Sequence, residues 1–109
     1  MERILITGAL GQLGQEFIKY FVKNNIYVLA SDIRSPDNKL NCDFEVANAM
    51  DINRLDNLVK KHKINTIYHL VAVLSAKGEE NPFNSWKLNM ESFQNIIEIS
   101  ITNKINKIF

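Results

Sequence analysis

A glycine triplet set between two differently patterned stretches constrains this chain most. Residues 3–7 are a short β-branched run, and from residue 12 to 23 the apolar side chains recur at helical spacing; Gly8-Ala9-Leu10-Gly11-Gln12-Leu13-Gly14 joins the two. A strand that passes straight into a helix through such a turn presents backbone amides and the positive end of the helix dipole, which suits a diphosphate. Each glycine has its own task in that reading. Gly8 permits the turn, Gly11 removes a Cβ that would collide with phosphate, and Gly14 lets helix and strand pack closely. The spacing is three-then-three, where the G-x-G-x-x-G fingerprint has two-then-three. Three glycines can also gather merely to make a loop, so the reading depends on what surrounds them.

The surroundings alternate in period along the whole chain. Leu13, Phe17, Tyr20 and Phe21 form one stripe of the first helix, which Asn24-Asn25 ends. A second strand covers residues 27–31 and stops at Asp32, followed by a polar, turn-rich loop from Ser35 to Lys39. A third strand is expected at residues 44–46, and Asp51 caps a helix that carries Ile52, Leu55, Leu58 and Val59 to about residue 62. Residues 66–73 form the most apolar run, the fourth strand. Asn81-Pro82 opens a long helix with Trp86, Met90, Phe93, Ile97 and Ile101 on one face, read as core, and residues 105–109 begin a fifth strand in which the chain stops. Strands alternating with helices predict an α/β fold, a Rossmann-type doubly wound parallel sheet of order 3-2-1-4-5-6 truncated within its fifth strand. Residues 1–109 then make one domain.

Composition agrees and excludes several partners. With 46% hydrophobic residues the chain can build a core, and a net charge of +1 gives no field to hold nucleic acid or anionic lipid. No run reaches membrane-spanning length, and the apolar stretch after Met1-Glu2-Arg3 is too short for a secretion signal. Cys42 is the only cysteine; no intrachain disulfide is possible, and a cytoplasmic location is expected, with Cys42 as a packing residue.

Asp32 lies 24 positions after Gly8, at the end of strand two. A carboxylate there accepts both ribose hydroxyls of NAD and repels a 2′-phosphate, so NAD is expected over NADP. Asp32 could also serve only as a turn former. Arg34 complicates the preference, since a guanidinium can pair with a 2′-phosphate, stack on adenine, or stand in solvent; Asp32 is closer to the ribose and is expected to prevail. His69 has only His62 for company and reads as a packed, hydrogen-bonded core histidine, with no metal site.

The pattern resembles the extended short-chain dehydrogenase/reductases. It does so through Thr7 to Gly14, the acidic Asp32, and His69-Leu70-Val71-Ala72 in strand four. Within that group it is most similar to the NAD-dependent L-threonine 3-dehydrogenases of the sugar-epimerase-like type. The segments that carry the likeness are Ala30 to Arg34, Phe44 to Asp51, Leu74-Ser75-Ala76, Asn81-Pro82 and Trp86 to Met90. The resemblance implies NAD held by Gly8, Ala9, Leu10, Gly11, Gln12, Leu13 and Gly14, with Asp32, Ile33 and Arg34 at the adenosine end. It implies Asn48 and Ala49 bordering adenine, Val71, Ala72 and Val73 along the nicotinamide ribose, and Ser75 reaching the substrate. The implied reaction turns L-threonine and NAD into 2-amino-3-ketobutyrate and NADH, through a tyrosine base with a lysine four residues later. Tyr20, Tyr27 and Tyr68 are followed at that distance by Asn24, Ser31 and Ala72. The catalytic serine and the Tyr-x-x-x-Lys pair are therefore expected beyond Phe109, no residue here is assigned to catalysis, and the chain alone is expected to be inactive. A non-catalytic NAD-binding interaction module, and the front end of a sugar-nucleotide epimerase or dehydratase, remain alternatives. Ile105, Ile108 and Phe109 at an open sheet edge predict marginal stability and self-association.

Overall fold

The structure is a computed structural model and describes residues 1–71 and 82–109. Five strands form one wholly parallel sheet: β1 (Arg3–Thr7), β2 (Tyr27–Asp32), β3 (Asp43–Val46), β4 (Thr66–His69) and β5 (Lys107–Ile108), in spatial order β3-β2-β1-β4-β5. The helices are α1 (Gln12–Lys23), α2 (Ile52–Lys61) and α3 (Pro82–Thr102). Together they give the doubly wound α/β architecture, filled to its fifth strand.

Both faces of the sheet are covered, which is why its central strands are apolar without alternation. Along β1, Ile4 and Ile6 pack with Val28, Ala30 and the α1 residues Ile18 and Phe21, with Cys42 at the margin of that cluster. Leu5 points the other way, into Leu29, Ile67, Leu55 and Leu58 of α2, and Ile96 and Ile99 of α3. Leu5 is fully buried, and its replacement by alanine would cost about 2–5 kcal/mol. Asp51 caps α2 by accepting from the Arg54 amide at 3.1 Å.

Four sequence expectations change. β4 ends at His69, short of the predicted residue 73. After Gly8 the β1 chain turns away, so no ladder partner remains beyond Thr7, although the Leu70 amide still donates to the Thr7 carbonyl at 3.1 Å. Ala72 and Val73 lie outside the described residues, as does the predicted cap Asn81. At β5 the pairing runs from the Asn106 amide to Phe109, because Ile105 still belongs to the end of α3. On α1 the buried residues are Gly14, Ile18 and Phe21, while Leu13 and Tyr20 face solvent. On α3 the predicted core stripe is turned outward: Trp86 is 60% and Ile101 75% exposed, with Met90, Phe93 and Ile97 also exposed. Its buried side consists of Ser92, Ile96, Ile99 and Ser100.

Candidate functional site

A cleft of about 310 Å³ opens at the carboxyl ends of the central strands, where the order reverses between β1 and β4. Ligands of doubly wound sheets bind at such a switch point. β1 and its turn contribute Thr7, Gly8 and Gly11, and the end of β2 contributes Ser31, Asp32 and Ile33. Ala47 and Ala49 come from the passage between β3 and α2, Leu55 from α2 itself, and Leu70 and Val71 follow β4.

The glycine turn is held in place by backbone contacts on every side. Gly8 has φ +67°, and a Cβ there would lie 2.9 Å from the Leu70 carbonyl carbon and the Val71 nitrogen, so only glycine fits. At Gly14 a Cβ would come within 2.5 Å of the Ala9 oxygen, where α1 presses on the chain leaving β1. Gly11 differs. An added Cβ there would meet nothing closer than the Gly8 oxygen at 3.5 Å, and its extended backbone suits any residue. Gly11 lines the cleft, and no contact within the protein explains its lack of a side chain.

Three further amides complete the turn. Ala9 donates to the Ser31 carbonyl at 3.0 Å, Leu10 to Asp32 Oδ2 at 2.9 Å, and Gly11 to the Gly8 carbonyl at 3.3 Å. The first intrahelical bond from this region runs from the Gln15 amide to the Gly11 carbonyl. The amides of Gln12, Leu13 and Gly14 consequently have no acceptor among the described residues. With no side-chain cap on α1, this end of the helix presents its amides and positive dipole end to an anion. The orphan amides, the Cβ-free approach at Gly11 and the cleft volume fit a dinucleotide diphosphate.

Asp32 stands at the rim of the cleft with both carboxylate oxygens engaged by backbone: Oδ2 accepts from Leu10 and Oδ1 from Ile33 at 2.7 Å. Each oxygen retains a lone pair for a further donor. Arg34 is exposed and borders a separate hollow with Leu10, Gln15 and Pro36. Asn48 is likewise exposed, its side-chain oxygen accepting from the Met50 amide at 2.9 Å, whereas Ala49 is buried in the wall. Ala9 and Leu10 are buried, Gln12 and Leu13 are exposed, and Val71 lines the cleft. Ala72, Val73 and Ser75 lie outside the described residues.

Sequence reasoning passed over Thr7, Ser31, Ala47, Leu55 and Leu70 as lining residues. Ser31 had a signal, since it immediately precedes the strand-ending acid. Ala47 had none, because it reaches the cleft only through parallel pairing, its amide donating to the Asp32 carbonyl at 2.9 Å. His69 is the packed histidine expected: Nδ1 is 2.8 Å from Thr7 Oγ1, and burial pushes its pKa below the ordinary value.

No described tyrosine borders the cleft. Tyr27 lies at the opposite end of β2, donating to Asp43 at 2.6 Å; burial first, then that carboxylate, raises its pKa. Tyr68 packs between Phe21 and Phe109, and burial raises its pKa too. Neither is a base in waiting. Among the described residues no cluster of His, Cys, Asp or Glu could hold a metal ion, and no helix is long and apolar enough to cross a membrane.

Comparison with known proteins agrees with this geometry. An uncharacterized epimerase/dehydratase of Staphylococcus saprophyticus is 41% identical over 105 residues, covering 92% of this chain and 33% of the relative. Among solved structures, a partial consensus L-threonine 3-dehydrogenase matches with a TM-score of 0.91 and 38% identity, over 98% of this chain and 35% of that one. The GalE-like L-threonine dehydrogenase from Cupriavidus necator, in its holo form, gives 0.89 and 34% over 98% of this chain and 35% of its own. The chain spans about a third of the length of these proteins. Residues 4–109 match the family model described as NAD dependent epimerase/dehydratase, and the chain belongs to the NAD dependent epimerase/dehydratase family.

Proposed function

We propose that residues 1–109 are the NAD-binding portion of an oxidoreductase like the L-threonine 3-dehydrogenases. The whole protein would convert L-threonine and NAD to 2-amino-3-ketobutyrate and NADH. The observation that carries the cofactor half is Gly11: it borders the cleft, and nothing in the protein requires it to be glycine. The threonine half is supported by the 38% and 34% identity to structures bearing that name.

In this reading the free amides of Gln12, Leu13 and Gly14 receive the diphosphate, with Gly8 to Gly11 shaping the approach. Asp32 accepts the adenosine ribose hydroxyls while keeping its hold on Leu10 and Ile33. Ile33, Asn48 and Ala49 flank adenine, and Arg34 stands at the adenosine end. Val71, with Ala72 and Val73, follows the nicotinamide ribose, and Ser75 meets the substrate. NAD, when bound, supplies a hydride acceptor. None of the three tyrosines has a lysine four residues on, and in this reading the chain alone binds NAD without turning over. Its lone thiol, Cys42, fits a cytoplasmic setting; self-association belongs to the same reading, expected from the sequence at the sheet edge, with the outward apolar side of α3 as the competing contact.

Isothermal titration tests the cofactor half. NAD should bind better than NADP, and Asp32→Ala should erase that preference. Equal binding of the two by the unaltered chain would remove the role given to Asp32, and no binding of either would end the reading. A sugar-nucleotide epimerase is the second reading, favoured by the epimerase/dehydratase name of the Staphylococcus saprophyticus relative at 41% identity. The full-length protein separates them: NADH formation with L-threonine supports the dehydrogenase, and conversion of a UDP-sugar without net NADH supports the epimerase.

A further inference from the structure

Beneath the glycine turn, a file of hydrogen bonds crosses from β1 through β4 to α3. Thr7 Oγ1 lies 2.8 Å from His69 Nδ1, His69 Nε2 lies 3.3 Å from Ser92 Oγ, and the Ser92 hydroxyl donates to the Asn89 carbonyl at 3.0 Å. Counting protons gives the file a direction. Ser92 has a single proton and spends it on Asn89, so its oxygen must accept from Nε2. A neutral imidazole carries one N–H, which leaves Nδ1 to accept from the Thr7 hydroxyl. Burial favours that neutral ring, and the Phe93 ring stacked on it, centroids 6.2 Å apart, fixes its plane.

We propose that His69, held as the Nε2–H tautomer between Thr7 and Ser92, is a positioning residue that ties the dinucleotide turn to α3. The proposal rests on the cofactor reading above and extends it to residues outside the cleft wall. Thr7 is the last residue of β1, and its carbonyl already accepts from Leu70. Gly8, next in the chain, passes so close to Leu70 and Val71 that an added Cβ would lie 2.9 Å from their backbone. The buried Thr7 side chain at this junction is held by its hydrogen bond to His69. Ser92 lies on the helix that follows residues 72–81, the stretch to which the proposed function assigns the nicotinamide side. A displacement of α3 would thus be felt at the turn that holds the diphosphate, although Ser92 touches neither Gly8 nor Asp32.

Nitrogen-15 spectra of the unaltered chain test the tautomer directly, with no variant needed. A protonated Nε2 and an unprotonated Nδ1 at neutral pH are expected; an Nδ1–H ring, or averaging between the two forms, overturns the proposal. Ser92→Ala then tests the tie. The Gly8 and Ala9 amide resonances should shift, and the dissociation constant for NAD should rise roughly two- to tenfold, the worth of one neutral hydrogen bond. Ser92→Thr, which keeps the hydroxyl, should restore both. A folded Ser92→Ala chain with unmoved Gly8 resonances overturns the tie. If the unaltered chain binds no NAD, the proposed function fails instead, and the resonances alone decide about His69.

Discussion

At the scale of single residues, the two glycines that a sequence treats alike separate cleanly. A methyl group at position 14 would lie 2.5 Å from the Ala9 oxygen, against backbone that cannot yield, whereas one at position 11 would find ordinary contact at 3.5 Å. Gly14→Ala should therefore destabilise the chain by several kcal/mol, in the range of severe overpacking, and Gly11→Ala should leave the unfolding midpoint nearly unchanged while weakening NAD binding. Denaturation and titration on the same two variants check this; a Gly11→Ala chain that binds as before would show that the diphosphate does not pass over residue 11. These glycines, and Asp32, were legible because their demands are local: a turn, a close approach, an acid ending a strand. The Thr7–His69 contact joins positions 62 apart in the chain, and only the pairing of β1 with β4 reveals it.

At the scale of elements, the three helices among the described residues all stop in the same way. The Ile26 amide donates to the Phe21 carbonyl, Ile64 to Val59 and Ile105 to Ser100, each at 2.9–3.0 Å, and the residue before each isoleucine has positive φ. This is the Schellman closure, with an apolar residue after the left-handed one. Its usual sequence mark is glycine, and here Asn25, Lys63 and Lys104 take the position, which is why only the Asn24-Asn25 stop could be read beforehand. Lysine in this conformation bears a steric cost that glycine avoids. Lys63→Gly should stabilise the chain by about 0.5–1 kcal/mol in urea denaturation, and a loss of stability would mean that the Lys63 side chain contributes contacts of its own. The inverted face of α3 has a comparable origin. Spacing revealed a stripe but could not choose between two, because serine looked polar. Ser100 satisfies itself by donating to the Ile96 carbonyl at 2.6 Å, and Ser92 does so through Asn89, so the serine-bearing side can be buried and the aromatic one left outside.

At the scale of the whole molecule, charge and exposed apolar surface set the conditions in which the chain stays folded and single. Glu45 on the edge strand β3 receives Lys61 at 3.1 Å, Arg54 at 3.1 Å and His62 at 3.4 Å, and the Lys61 ammonium foremost, with the other two, holds its carboxyl below the usual range despite burial. Asp56 is lowered in the same sense by Lys60 and the Asn103 side chain. A carboxyl with a depressed folded-state pKa contributes stability above its unfolded value and loses it as pH falls through the folded one. Denaturation midpoints should thus decline below the ordinary glutamate range, and Glu45→Gln should flatten that decline; an unchanged acid limb would show that these ion pairs are spectators. Those same charges blunt the β3 edge, and Lys107 stands on the two-residue β5 at the other edge. A run of exposed apolar side chains lies on the outward side of α3, from Trp86 through Met90 and Phe93 to Ile101. Apolar area of this extent in so small a chain favours burial against a second copy. Sedimentation should accordingly show mass rising with concentration, and Trp86→Lys with Ile101→Lys should return the chain to a monomer. If the double variant still associates, the β5 edge is the contact. A monomer at every concentration, with the cooperative stability of about 0.05–0.15 kcal/mol per residue usual for its size, would show instead that the α3 face tolerates water.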